Sequence, residues 1–456
     1  MSLLSQLQNI NYSNSSSNFF YSDSPFTFTK YLSITNKSPS FTGTPPNSYT
    51  ITPSLPSGLT FNSTTGEISG TPNLISSKTE YVITGINSTE TKTTTISITI
   101  NFMRDWSIIQ PILNTQKNLG SSVTETTDTS TYTGLSGTIK WVGGVLIPDG
   151  KIYGIPYSST TVLIIDTLNN SIDTTSITGL AGSNKWLGGV LAPNGKIYAI
   201  PSDSTSVLII DPTTNTADTT TISGLTGSSK WYSEVLAPNG KIYGIPSDST
   251  SVLIIDPTTN TADTTTITGL TGSAKWNGGV LGSNGKIYGI PFDSTSVLII
   301  DPSTNSADTT SITGLTGSQK WVRGVLGQNG KVYGMPYNST NVLIIDPSLN
   351  SVDTTTITGL TGTIKWAGGV AAPNGKIYGI PFSATNVLII DPSANTFNIA
   401  TLTGFSGNYK WAGGTLSTNG KIYGIPRDST NVLILDPKSN GAWDNDMYFS
   451  PYFNKL

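Results

Sequence analysis

The sequence predicts an all-β chain: a small Ig-like β-sandwich followed by a seven-bladed β-propeller of four-stranded blades. Three observations predict it. Trp141, Trp186, Trp231, Trp276, Trp321, Trp366 and Trp411 stand 45 residues apart without slippage. Each is followed by four short strand candidates separated by Asn-Gly and Asp-Pro turns, the size and punctuation of a propeller blade. Ahead of this array, residues 25–102 alternate polar and apolar positions between Pro, Gly and Asn clusters, which is the pattern of half-buried antiparallel strands.

In chain order, residues 1–24 are rich in Ser and Asn. They hold little apolar surface to bury, so a flexible arm is expected there, available to anchor the chain to a partner. Strand candidates in 25–102 are Phe26-Thr-Phe-Thr, Tyr49-Thr-Ile-Thr, Tyr81-Val-Ile-Thr and Thr95-Ile-Ser-Ile-Thr-Ile100. The string Leu55-Pro-Ser-Gly-Leu-Thr-Phe-Asn-Ser-Thr-Thr-Gly-Glu-Ile-Ser-Gly-Thr-Pro72 resembles the signature of the He-PIG immunoglobulin-like domain of bacterial surface proteins. Some relatives of that sandwich hold calcium between domains. Here Glu67, Glu80 and Glu90 are scattered singly, whereas a calcium site gathers six to eight oxygens from close positions, so a spacer role is expected and no metal. Residues 103–122 include Trp106-Ser-Ile-Ile-Gln-Pro-Ile-Leu and are expected to pack as a linker, with a short helical turn ending near Pro111.

The repeat fills residues 123–437. In its third copy, Glu234-Val-Leu-Ala leads through Pro-Asn-Gly to Lys241-Ile-Tyr-Gly-Ile, and Ser251-Val-Leu-Ile-Ile-Asp256 leads through Pro-Thr-Thr-Asn to Ala262-Asp-Thr-Thr-Thr-Ile-Thr. Asn-Gly between apolar runs is the strongest short hairpin signal, and Asp-Pro opens a second turn. The Val-Leu-Ile-Ile run is apolar on both faces, so the sheet must be covered on both sides, as stacked blades provide. Asp128 holds the same place before Trp141 that Asp218, Asp263, Asp308 and Asp353 hold before the next Trp. Residues 124–133 are therefore expected to complete the seventh blade. The competing expectation gives that strand to the aromatic tail, residues 438–456, which otherwise packs under the seam. The string "NGKIYGIPxxSTxVLIIDPxTNT" is similar to the YVTN-type repeat of surface-layer and cell-envelope propellers, a resemblance that implies the fold and carries no catalytic residues.

Composition excludes several functions. Charged residues are 11% and the net charge is −3, so neither nucleic acid nor an anionic membrane is expected as a partner. There is no cysteine and no histidine, which removes thiolate chemistry together with the commonest general base and metal ligand. The start of the chain carries no recognisable signal peptide and no apolar window is long enough to insert in a membrane.

Positions that differ between near-identical repeats are where function is sought. After Gly-Ile-Pro stand Tyr157, Ser202, Ser247, Phe292, Tyr337, Phe382 and Arg427; before Lys-Trp stand Ile139, Asn184, Ser229, Ala274, Gln319, Ile364 and Tyr409. Both sets fall on loops of one propeller face. Tyr157, Phe292, Tyr337, Phe382, Tyr409 and Arg427 are read there as an exposed aromatic rim suited to sugar rings or a protein pocket. Glu234 and Arg323 break the Trp-x-Gly-Gly pattern and are placed at the central channel, either orienting a ligand or forming a structural link. Lys140 and its six equivalents form one ring, read as stems packed on the tryptophans or as an anion site. Lys151 and its equivalents form another, read as cross-strand partners of Asp166 and its equivalents. Too few arginines for a sialidase-like site, no histidine and only one pattern-breaking carboxylate in a strand make catalysis the least favoured reading.

The expectation is a non-enzymatic, outward-facing structural or recognition protein of a virion surface or cell envelope, without cofactor. Its expected partners are other envelope or virion proteins, or a host protein or glycan. The alternative is a secreted adhesin with a carbohydrate-binding face, and after it a propeller glycosidase or lyase.

Overall fold

The computed structural model describes residues 18–29, 34–72, 76–101 and 124–437, and it divides into two compact units. The linker expected at 103–122 and the tail at 438–456 lie outside the described residues, as does most of the expected arm.

In the first unit a four-stranded sheet has the order β2 (Phe26–Thr29), β8 (Thr91–Asn101), β7 (Ser76–Ile86), β4 (Ser48–Thr52), with β2 parallel to β8. Two short pairs complete it: β1 (Asn18–Phe20) with β3 (Ser40–Thr42), and β5 (Leu59–Phe61) with β6 (Ile68–Gly70). Period-two alternation buries Phe26 and Phe28, Tyr81 and Ile83, and Ile96, Ile98 and Ile100 in one core. The Leu55–Pro72 string forms the β5–β6 hairpin. Its Asn62 side chain accepts bonds from the amides of Thr64 and Thr65, and Gly66 takes a φ of 74° that a β-carbon would disfavour. One boundary moves. Strand β1 lies inside the stretch expected to be the arm, because Phe19 and Tyr21 enter the core and the Tyr21 hydroxyl donates to the Gly66 carbonyl.

The second unit contains seven four-stranded antiparallel sheets. The third is representative: β18 (Trp231–Leu236), β19 (Ile242–Pro246), β20 (Leu253–Asp256) and β21 (Thr261–Asp263) in sequential order. The innermost strand starts at the tryptophan itself, three residues before the expected start. The outermost stops at the aspartate, because that carboxylate turns the chain. Asp263 Oδ1 accepts from the Thr265 amide at 2.7 Å and from its hydroxyl at 2.8 Å, while Oδ2 takes the Thr266 hydroxyl. Consecutive inner strands pack side by side, and β10 (Trp141–Leu146) packs against β34 (Trp411–Leu416), so the ring closes. Strand β9 (Thr126–Asp128) pairs with β36 (Leu433–Asp436), so the segment ahead of the first blade supplies the last blade's outer strand and ties the ends of the ring together.

The invariant residues join blades. Each tryptophan fills the core between its own blade and the preceding one, and its indole N–H donates to a carbonyl 20 residues on, at 2.7 Å from Trp186 to Ser206 O. Where the repeat keeps its second glycine, neighbouring side chains leave no room for more: a β-carbon at Gly144 would lie 2.7 Å from Ile425 Cδ1. On the face of the Asn-Gly turns, Asn194 donates to Tyr198 Oη at 2.9 Å and to Pro257 O of the next blade at 2.9 Å. The Tyr198 hydroxyl donates to Asn260 Oδ1 at 2.6 Å. At the seam Glu125 stands in the asparagine's place and accepts from Tyr378 Oη and Lys376 Nζ, both at 2.9 Å.

Candidate functional site

The two lysine rings are part of the scaffold. Lys185 Nζ donates to Gly182 O at 2.8 Å, Ser159 O at 2.9 Å and Tyr157 O at 3.2 Å, and lies 5.7 Å from the Trp186 ring centre. Its three hydrogens are used within the fold, clasping one blade to the preceding loop, and burial pulls its pKa down to about 8. Lys140, Lys230, Lys275, Lys320, Lys365 and Lys410 are likewise buried over their tryptophans. The anion-site reading of this ring is thus replaced by a clasp. In the second ring the expected cross-strand pairs form at Lys196–Asp211, Lys241–Asp256, Lys286–Asp301 and Lys331–Asp346, at 3.4–3.7 Å. Lys151 turns to Asp149 instead, at 2.8 Å. A cleft of about 380 Å³ on the rim is lined by Lys275, Trp276, Asp293 and Ser294, whose polar groups serve the same clasp.

The variable loops share an unusual backbone. Ile139, Asn184, Ser229, Ala274, Gln319, Ile364 and Tyr409 all have φ between 47° and 55°. Asparagine tolerates this left-handed region, whereas β-branched Ile139 and Ile364 are strained in it. The loop is held by the blade before it: the Ser229 amide donates to Asp203 Oδ1 at 2.7 Å, and the Ile364 amide to Asn338 Oδ1 at 2.8 Å. Seven side chains of six types are thus displayed where glycine would sit more easily.

The expected rim residues assemble on one sector. Phe292 and Tyr337 have ring centres 5.7 Å apart, Tyr337 and Phe382 6.1 Å, and Phe382 and Tyr409 5.2 Å. The Arg427 guanidinium lies 5.5 Å from the Phe382 centre and 5.1 Å from that of Tyr409. Burial raises the Tyr337 hydroxyl to about 12, so it stays a neutral donor. Tyr157 joins the arc's apolar bed with Tyr232, Val142, Leu187, Ala367 and Ala412, the residues that follow five of the tryptophans. The rim is less exposed than expected: Phe382 is buried, Tyr157, Phe292 and Tyr337 are half-buried, and Tyr409 is the most open at 37%. These tilted and, at Phe382–Tyr409, edge-on rings cover one another, which leaves a continuous amphipathic surface in place of separate projecting rings.

Glu234 and Arg323 are both buried, at 2% and 4% exposed. Each inner strand carries a bulge after its tryptophan, and the first glycine of Trp-x-Gly-Gly takes positive φ there, 84° at Gly188 and 102° at Gly368. Ser233 and Arg323 occupy that position in the third and fifth blades, at φ 96° and 51°. Ser233 escaped the sequence reading because serine among glycines looks neutral. Glu234 Oε2 lies over Gly188, where a β-carbon would meet it at 2.5 Å; Arg323 Cδ and Nη1 lie 3.4 and 3.7 Å from the β-carbon position of Gly368. The Arg323 pKa falls to about 10 through burial, with the Glu234 charge opposing the fall.

Residues 8–101 match the family described as "Putative Ig domain" (He_PIG). No curated protein matches the chain by sequence. Among solved structures, virginiamycin B lyase from Staphylococcus aureus is 11% identical with a TM-score of 0.52, covering 68% of this chain and 99% of that one. Hydrazine synthase of Kuenenia stuttgartiensis is 15% identical with a TM-score of 0.53, covering 70% and 99%. The extracellular domain of the "putative hybrid two component system" from B. thetaiotaomicron is 12% identical with a TM-score of 0.53, covering 85% and 56%. Likeness at this level establishes the fold alone, and the fold is that of propeller-type proteins carrying different functions.

Proposed function

We propose that this chain is a non-enzymatic recognition or structural protein of an outward-facing surface, a virion or a cell envelope, whose propeller meets a protein or glycan partner with its variable face. The observation that carries this reading is the arc from Phe292 through Tyr337, Phe382 and Tyr409 to Arg427. Its positions vary between repeats, with serine in two blades where the arc has aromatic rings, so blade formation does not require these residues. The opposite face, in contrast, spends its asparagines and tyrosines on bonds between blades. Aromatic ring faces beside a guanidinium suit the C–H groups and hydroxyls of sugars, which favours the carbohydrate-binding adhesin as the second reading.

Lyase chemistry of the related fold is disfavoured by composition. One of the lyase structures is described as a catalytically inactive variant with histidine changed to alanine, and this chain contains no histidine. The Ig-like unit suits a spacer, and the extracellular setting of the B. thetaiotaomicron domains supports an exposed location by analogy. Immunogold labelling of intact cells and purified virus particles from the same source tests the location. Gold on either surface is the expected outcome and distinguishes envelope from virion; label confined to the cytoplasm contradicts the proposal.

A further inference from the structure

Six Asn-Gly-Lys turns, at Asn194, Asn239, Asn284, Asn329, Asn374 and Asn419, join the first and second strands of blades two to seven. Asparagine before glycine is prone to lose its side-chain amide, because glycine has no β-carbon to shield its backbone nitrogen. In all six turns the glycine amide donates to the carbonyl three residues back at 2.9–3.0 Å, and the asparagine Oδ1 accepts from the lysine amide at 3.0–3.2 Å. The turns differ in what holds the side-chain nitrogen. In five, Nδ2 donates to the blade's own tyrosine at 2.8–2.9 Å and to a proline carbonyl of the next blade at 2.9–3.0 Å. At the seam Asn419 keeps the tyrosine bond, at 2.8 Å to Tyr423, but its second acceptor is Thr167 O at 3.4 Å, close to the limit of a hydrogen bond. Thr167 stands where the other six blades have proline. Its hydroxyl donates to Gly150 O and meets Ser417 Oγ, both at 2.7 Å, which seats this loop differently.

We propose that Asn419 is the site at which the native chain deamidates, ahead of the other five turns. The Gly420 nitrogen gives its proton to hydroxide and attacks Asn419 Cγ; the new C–N bond closes a succinimide ring, the Cγ–Nδ2 bond breaks, and the nitrogen takes a proton from water and leaves as ammonia. Water then opens the ring to aspartate or isoaspartate. Attack requires Cγ to swing onto the Gly420 nitrogen, which pulls Nδ2 from its acceptors. Five asparagines give up two short bonds in that swing, whereas Asn419 gives up one short bond and one long one. The fold accepts the aspartate product. The first blade already carries Asp149 before Gly150, where Oδ1 accepts from the Lys151 amide at 3.0 Å and Oδ2 pairs with Lys151 Nζ at 2.8 Å. A carboxylate at 419 has no N–H for Thr167 O, so the change removes a bond between the seventh blade and the first. The assignment is independent of what the variable face meets.

The test is incubation of the full native chain at mildly alkaline pH, with timed samples digested by trypsin and each Asn-Gly-Lys peptide followed by mass spectrometry, fragment ions placing the change at its asparagine. Asn419 is expected to convert about 5-fold faster than any of the other five, the weight of one hydrogen bond. Because Gly-Lys follows all six asparagines, unfolding in urea is expected to bring the six rates together. Another asparagine in the lead, or equal rates in the native chain, overturns the assignment. A lead for Asn419 that persists undiminished in urea also overturns it, since local sequence and not the seam would then be the cause.

Discussion

At the scale of single residues, departures from the repeat are informative because the other copies state what the backbone prefers. Five blades place glycine at the inner-strand bulge, and Ser233 takes φ 96° there with its hydroxyl unpaired. Ser233→Gly relieves both the left-handed strain and the buried hydroxyl. This change is expected to stabilise the propeller by about 1 kcal/mol and raise Tm by about 1–3 °C. Calorimetry that finds Tm lowered would show that serine is required by the blade itself. The same comparison marks what sequence could and could not reveal. Arg323 and Glu234 stood out as charges among glycines, whereas the left-handed backbone before each Lys-Trp did not, since Ile139, Ala274 and Ile364 are not residues from which positive φ is inferred. The lysine ring was visible as a ring, but its acceptors are backbone carbonyls of the preceding blade and of its own loop, which no side-chain pattern announces.

At the scale of elements, every outer strand but the sixth blade's ends on an aspartate whose carboxylate caps the following turn. Asp173, Asp218, Asp263 and Asp308 are lowered from 3.8 to about 2. At Asp263 and Asp308 the hydroxyl bonds of Thr266 and Ser311 are the largest influence. At Asp173 and Asp218 partial burial pushes upward and the donors together outweigh it. A carboxyl with a depressed folded pKa contributes stability that is complete above about pH 4 and lost as pH falls through about 2. Tm is therefore expected to be level from neutrality to about pH 5 and to drop between about pH 4 and 2. The sixth blade supplies a control: Asn398 caps the same turn, accepting from the amides of Ala400 and Thr401. Changing the four aspartates to asparagine is expected to preserve the fold and flatten the acid decline, and an unchanged decline would place its origin elsewhere. Strand identity was readable because period two and Asn-Gly turns act locally. The ends were less so: the aspartate stops its strand through the hydroxyls that follow, and β1 was hidden because Phe19 and Tyr21 sit in a Ser/Asn-rich context whose composition resembles a tail.

At the scale of the whole molecule, a 45-residue period determines the architecture because one blade cannot cover its own apolar faces and seven can cover one another. Closure was legible in the placement of Asp128, and the pairing of β9 with β36 realises it. The two faces then diverge in use. One is consumed by Asn–Tyr bonds between blades, and the other displays an arc of four aromatic rings ending on Arg427. The most direct measurement of the proposed role is binding of the purified protein to glycan and host-surface arrays, with Tyr409→Ala and Arg427→Ala compared against a control change on the opposite face, Leu168→Ser. The variable-face substitutions are expected to lower affinity at least about 10-fold with Tm unchanged, while Leu168→Ser binds as the native chain does. Binding that survives both variable-face substitutions, or that is lost with Leu168→Ser, would contradict the account.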